Sequence, residues 1–302
     1  MSRQRTFVVG GVVVAVLALS AALVKTGVYG YTLFLLLPIV LGMVAAMITK
    51  PKTAATALAL GAAGPVAASL VLFGLGWEGA ICIAMFLPIG IPLGALGGLL
   101  FYYASRQIPA RRTSAMLLFL PLGTLGFDVT AQPPVFTVTT TVDIAATPER
   151  IWPHVVSYAN LEQPDDWVFH TGVGYPIHVR MVGSGTTGTR YCDFSTGSFV
   201  EPIEVWDAPR LLRFRVTESA VPMHEWSFYS HVEPKHLHGY FVSKEGEFRL
   251  VDLGNGRTRV IGTSWYQHGL WPAQYWRLWS DAIIHRIHAR VLGHIKELAE
   301  AR

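Results

Sequence analysis

The most constraining feature of this chain is how unevenly charge is spread along it. Residues 1–130 hold eight Lys/Arg, two acidic residues (Glu78 and Asp128) and no histidine. Residues 131–302 hold 16 Lys/Arg, 18 Asp/Glu and all eleven histidines. The first part contains apolar runs at 7–24, 31–49, 54–76, 80–103 and 114–127, and the first four carry no charge over 18 to 24 residues. A bilayer core demands about 20 such residues of a helix, because every backbone polar group must be satisfied within the segment. The spacing therefore predicts a bundle of four to five transmembrane helices in 1–130 and a polar domain in 131–302.

Charges at the ends of the runs orient the bundle. Arg3 and Arg5 precede the first run, Lys50 and Lys52 follow the second, and Arg106, Arg111 and Arg112 follow the fourth. The opposite loops hold only Lys25 and Glu78. The positive-inside rule then places the N-terminus and the 50–52 and 106–112 loops in the cytoplasm. The expected product is a multi-pass protein of the cell membrane. If the short 114–127 run spans, the C-terminal domain is extracytoplasmic, which is the reading adopted; if it lies at the interface, that domain is cytoplasmic. The first run resembles a signal peptide, with "ALSAALV" after its apolar stretch, but further spans follow directly and it reads as a retained helix.

No ionisable residue falls within a span, so the mark of an ion or proton path is missing. The bundle reads as an anchor, and Gly90, Gly94 and Gly98 in "PIGIPLGALGG" form a small-residue stripe for close helix packing. A lateral path for lipid is the sharper alternative. The basic balance sits at the fringes of the spans rather than on a nucleic-acid-binding face, so no nucleic-acid partner is expected. The two cysteines, Cys82 and Cys192, lie in different regions, which excludes a disulfide framework and a multi-thiolate zinc site. Neither a metal site nor a cofactor is expected.

The polar domain opens with "PPVFTVTTTVDIAATPERIWPHV". Residues 135–145 read as a strand, and Thr147 as an N-cap before Pro148 and a short helix. Strand-like segments follow at 174–182, 187–195, 199–207, 210–217, 239–252 and 257–267, and a long helix covers 272–300. This order, with "GSFVEPIEVWDAPRLLRFRV" in the middle and "GRTRVIGTSWY" before the last helix, resembles the helix-grip fold of the START-like (SRPBCC) superfamily. That superfamily groups polyketide cyclases, lipid-transfer domains and birch-pollen-type allergens. The resemblance covers about 135–300. It implies an α+β domain in which a curved antiparallel sheet grips the C-terminal helix, with an apolar cavity between them for a hydrophobic ligand. It implies no shared catalytic residue.

On the last helix, Trp276, Ile283, Ile284, Ile287, Val291 and Leu298 form one apolar stripe at 100° per residue, with His294 inside it. That stripe is expected to face the sheet. Asp281, His285 and His288 fall on the other side, beside Leu278 and Leu292, and are expected to meet solvent, the membrane bundle or a protein partner. A hairpin turned at Thr196-Gly197 places Cys192 opposite Glu201, with Arg190 one diagonal step away. Alternation puts Arg190, Cys192, Phe194, Phe199, Glu201, Ile203 and Val205 on one mostly apolar inner face. Arg190 and Glu201 then read as a polar recognition point in an apolar pocket, or as a purely structural pair.

The expected ligand-binding set is Arg190, Phe194, Phe199, Glu201, Phe214, Trp226, Ile283, Ile287, Val291 and His294. The long 218–239 loop, rich in aromatic and His residues, suits a cavity gate, a membrane-dipping edge or a partner-binding surface. No nucleophile elbow, HExxH, P-loop or GxGxxG is present. Three readings stand: a membrane-anchored domain that binds or transfers a lipid or other hydrophobic small molecule; a cyclase/dehydratase- or hydrolase-type enzyme using His294 or His224 with Arg190/Glu201; and a protein-interaction or sensory component.

Overall fold

The computed structural model describes residues 3–107, 122–159, 161–229, 232 and 234–301. Residues 114–121 of the fifth apolar run, Arg111, Arg112 and His231 lie outside the described residues, as do the side chains of Arg3 and Arg5. Two compact units emerge. One comprises Met1–Gln132, Glu225–His236 and Gly269–Gln274; the other comprises Pro133–His224, Leu237–His268 and Tyr275–Arg302.

The first unit is helical: α1 (Arg3–Thr26), a π-helical turn (Thr32–Leu36) running into α2 (Leu37–Thr49), α3 (Ala54–Gly74), α4 (Ala80–Gln107) and α5 (Leu122–Thr130). Among the described residues, three stretches are long and apolar enough to cross a membrane: Thr32–Thr49, Ala54–Gly74 and Ala80–Gln107. The first helix contributes a shorter apolar stretch, Val13–Thr26. Glycine lets α2, α3 and α4 touch backbone to backbone. A Cβ on Gly42 would lie 1.9 Å from the Gly94 carbonyl oxygen, and one on Gly98 would lie 2.1 Å from that of Ala57. The contact row on α4 is Gly94, Gly97 and Gly98; Gly90 faces its own Phe86 ring instead. The Asp128 carboxylate accepts from the N–H groups of Tyr31 and Thr32, each at 2.8 Å, and so closes the N-terminal end of the second helical stretch.

The second unit is a seven-stranded antiparallel sheet in the order β1-β7-β6-β5-β4-β3-β2. Its strands are β1 (Val135–Ile144), β2 (Pro176–Val182), β3 (Thr189–Phe194), β4 (Gly197–Asp207), β5 (Leu211–Arg215), β6 (Phe241–Gly254) and β7 (Arg257–His268). Its helices are α6 (Pro148–Val156), the short α7 (Trp167–His170) and α8, which runs Ala273–Glu300. The expected strand, helix, six-strand, long-helix order is met throughout. At the β6–β7 hairpin, Asn255 and Gly256 both take positive φ (52° and 68°), the conformation that matches the right-handed twist of the flanking strands. Thr147 stands before α6 as expected, but its hydroxyl caps nothing; its carbonyl accepts from Arg150 and Ile151.

The core lies between the sheet and α8. Ile144, Leu212, Leu250 and Val260 meet Leu292, Ile295 and Ala299, all nearly or fully buried. Removing a side chain such as Leu292 or Ile295 from water contributes roughly 1.5–3 kcal/mol each.

The face of α8 corrects the sequence reading. Ile284, Val291, Leu292 and Ile295 are buried, whereas Ile283 and Ile287 are only half-buried. Asp281 and His288 turn toward the sheet, and His285, though exposed, also bonds to it. The Tyr266 hydroxyl donates to Asp281 at 2.6 Å, Ser264 meets His288 Nε2 at 2.8 Å, and Thr140 meets His285 Nδ1 at 2.7 Å and His288 Nδ1 at 3.1 Å. The helical wheel assumed a uniformly apolar gripping surface. The β1–β7 end of the sheet is polar, and it draws the polar residues of α8 inward by hydrogen bonding. The face expected to serve a protein partner is therefore engaged within the domain.

Candidate ligand-binding site

The site is built on neighbouring strands of the second unit. The β3–β4 register pairs Arg190 with Glu201 and Cys192 with Phe199. The expected pairing of Cys192 with Glu201 is two residues off, because the turn lies one residue earlier, and an even shift leaves each side chain on its face. The turn residues are Ser195 and Thr196, and Gly197, at φ 141°, already pairs with Phe194. The predicted inner face survives this slip, because both strands keep their alternation: Arg190, Cys192, Glu201 and Ile203 are all buried.

The direct register brings Arg190 and Glu201 into a salt bridge, with side chains 3% and 8% exposed. The guanidinium carbon lies 5.1 Å from the Phe214 ring centre and 5.4 Å from that of Phe248, so aromatic faces flank the cation from β5 and β6. Burial works against the Arg190 charge, but the Glu201 carboxylate opposes it and the cation is held. Burial also pushes the Glu201 carboxyl above its usual range, with Arg190 opposing. Burial drives the Cys192 thiol far up, so it is neutral and unreactive near pH 7.

Tyr158, just past α6, completes the polar cluster. Its phenol is pushed up by burial, and among the described residues its hydroxyl has the Cys192 thiol beside it, a weak partner. Arg190 Nε and His294 Nε2 are buried atoms with no hydrogen-bond partner among the described residues. Tyr158 also lines an open groove of about 510 Å³, together with His154, Ser157, Val179, Met181 and Leu298. Tyr158 thus lines the groove while its hydroxyl neighbours Cys192, which shares the buried face of Arg190 and Glu201.

The other expected residues sort as follows. Phe194 and Phe199 pack ring to ring, 4.7 Å apart, at the hairpin end, and with Phe214 and Val291 they belong to the apolar core around the pair. His294 sits edge-on to Tyr158 at 5.6 Å, and burial lowers its pKa. Ile283 and Ile287 line α8 half-buried. Trp226 stands apart. It belongs to the first unit, 62% exposed and stacked on Phe73 at 6.2 Å. His224 is exposed, and its backbone N–H bonds to Gly172. A His–carboxylate pair exists in this unit, His178 with Asp193 at 2.9 Å, but Asp193 alternates with Cys192 and so faces away from the buried pair.

Sequence reasoning missed Tyr158 and Phe248, which lie outside the hairpin used to locate the pair. It also missed a second constellation. In the first unit, Glu78, Cys82 and His236 place a carboxylate oxygen, a thiol and an imidazole nitrogen within 4.8 Å of one another. The segment 225–236 reads as part of a loop of the polar domain, and nothing in the linear order pairs His236 with Cys82, 154 positions earlier.

Residues 135–268 match the family model described as polyketide cyclase / dehydrase and lipid transport. No curated protein matches the chain. Among solved structures, truncated norcoclaurine synthase from Thalictrum flavum is similar at 11% identity, covering 57% of this chain and 98% of that one, with a TM-score of 0.37. The ZhuI aromatase/cyclase from Streptomyces sp. R1128 is similar at 16% identity, covering 56% and 98%, with a TM-score of 0.35. The strand order and the long final helix give the polar half of this chain the helix-grip fold, and its residues 135–268 are similar to the family described as polyketide cyclase / dehydrase and lipid transport.

Proposed function

We propose that this protein is a membrane-anchored START-like domain that binds, and hands on, a lipid or other hydrophobic small molecule. The observation that carries the reading is the buried Arg190–Glu201 pair, set among aromatic rings with unsatisfied polar atoms beside it. Desolvation opposes burying two charges, so such a pair is a poor device for stability and a good one for recognition. The guest's apolar body replaces contacts along Phe194, Phe199, Phe214 and Val291, each buried methylene contributing roughly 0.8 kcal/mol. Its polar end bonds to Arg190 Nε and the Tyr158 hydroxyl, reached from the groove. Three helices of spanning length and composition support the anchor, and the exposed Trp226, Phe228 and Tyr229 of the first unit suit a headgroup-level aromatic belt.

The test is to purify the full-length protein gently, extract it with organic solvent and identify what it carries by mass spectrometry. Wild type is expected to yield a stoichiometric apolar compound with one polar end. An Arg190→Met/Glu201→Met double variant, shown to be folded by circular dichroism, is expected to lose it. If wild type carries no specific compound, the binding reading fails. A compound retained undiminished by the double variant would remove the pair from the site.

A further inference from the structure

The first unit contains a donor set that the lipid-binding reading does not use. In "GWEGAIC", residues 76–82, Gly76 takes φ 66° and turns the chain out of α3, and α4 begins at Ala80. Glu78 and Cys82 stand four residues apart across that helix start. The 225–236 segment then brings His236 to them. Cys82 Sγ lies 2.8 Å from His236 Nε2, and Glu78 Oε2 lies 3.7 Å from His236 Nδ1. Glu78 and His236 are 7% and 8% exposed.

Each donor is held from outside the cluster. The Tyr29 hydroxyl donates to Glu78 Oε1 at 3.0 Å, and the Tyr29 ring packs edge-on against His236 at 4.8 Å. The Glu225 carboxylate accepts from the N–H groups of Ile81 and Cys82, each at 3.2 Å, fixing the helix end that carries the thiol. Gly79 makes this possible, since a Cβ there would collide with Glu225 at 1.9 Å. Among the described residues neither Glu78 nor Glu225 forms an ion pair with Lys or Arg.

We propose that Glu78, Cys82 and His236 form a divalent metal site, with zinc as its ion. One thiolate, one imidazole and one carboxylate are a borderline set that zinc accepts. Bond lengths of about 2.0–2.3 Å to these donors put them roughly 3.3–3.8 Å apart around a tetrahedral ion, within the 4.8 Å spread of the cluster. The Sγ···Nε2 contact opens by under about 1 Å to admit the ion. Tyr29 and Glu225 are the outer groups that orient the ligands. The ion places a positive charge beside Glu78, which among the described residues pairs with neither Lys nor Arg. It also ties the 225–236 segment to α4.

The test uses the full-length protein in detergent, purified without a polyhistidine tag. It is loaded with Zn²⁺, gel-filtered and assayed by inductively coupled plasma mass spectrometry, and in parallel loaded with Co²⁺ and read by absorbance. Wild type is expected to keep about one zinc per chain and to show a near-ultraviolet thiolate-to-cobalt charge-transfer band. Cys82→Ser is expected to lose the band and at least tenfold in zinc affinity, and Cys192→Ser to lose neither. A readout independent of variant folding is alkylation of Cys82 in wild type by N-ethylmaleimide, which Zn²⁺ is expected to slow at least tenfold. A wild type that holds no zinc, a charge-transfer band that survives Cys82→Ser, or alkylation unaffected by Zn²⁺ would each overturn the site.

Discussion

The Arg190–Glu201 pair permits a prediction whose size and pH dependence both come from its surroundings. Replacing either residue by Met keeps most of the volume but leaves the other charge buried among Phe214, Phe248 and Ile203. Breaking a buried pair in this way costs about 3–5 kcal/mol, whereas replacing both partners by apolar residues is often neutral. The pair is imperfectly satisfied, since Arg190 Nε has no partner, so the double variant is expected within about 1 kcal/mol of wild type. With singles near 4 kcal/mol, the coupling energy comes to about 8 kcal/mol. The two singles also differ with pH. Arg190 cannot shed its proton, so the Glu201→Met variant has no titration by which to relieve its buried cation between pH 6 and pH 8. Glu201 can take one up, because burial already raises its pKa and Arg190→Met removes the group that opposes the rise. The cost of Arg190→Met is therefore expected to shrink as pH falls. Hydrogen exchange of the β3 and β4 amides reads the local opening free energy in the intact chain. Singles that cost under about 1 kcal/mol, or a double that costs their sum, would refute the argument.

Three further outcomes are expected. His288 is held neutral by burial and, to a lesser degree, by His285, with its pKa lowered from 6.5 to about 4. The unfolded chain then binds more protons between those values, so this contribution is complete above pH 6.5 and is lost as pH falls toward 4. From pH 7.5 to 5 the stability advantage of wild type over His288→Gln should narrow by about 2 kcal/mol, measured by denaturant unfolding. Thr258→Val removes a fully buried hydroxyl that donates to the Ala146 carbonyl at 2.7 Å; it should cost about 1–3 kcal/mol in the same assay, and no change would mean the carbonyl finds another donor. Gly42→Val places a branched side chain where even a Cβ meets Gly94, so the detergent-solubilised protein should melt well below wild type, while Gly10→Ala, with open space around it, should not.

Much of the architecture was legible in the linear sequence because local rules govern it. Uninterrupted apolar length marked the helices of spanning size, alternation and turn residues marked the seven strands, and a 3.6-residue stripe marked α8. The inner face of the β3–β4 hairpin was legible too, since alternation has period two and survives an error in the turn. The register itself was not, because Ser195-Thr196 and Thr196-Gly197 are both acceptable turns and only strand pairing chooses between them. The face of α8 was misjudged for a related reason. Asp281 and His288 turn inward only because Tyr266, Ser264 and Thr140 stand opposite them, and that is a fact of the sheet rather than of the helix. The Glu78–Cys82–His236 cluster shows the same limit most plainly. Sequence supplied the donors, but 154 residues separate Cys82 from His236, and only the tertiary structure closes that distance.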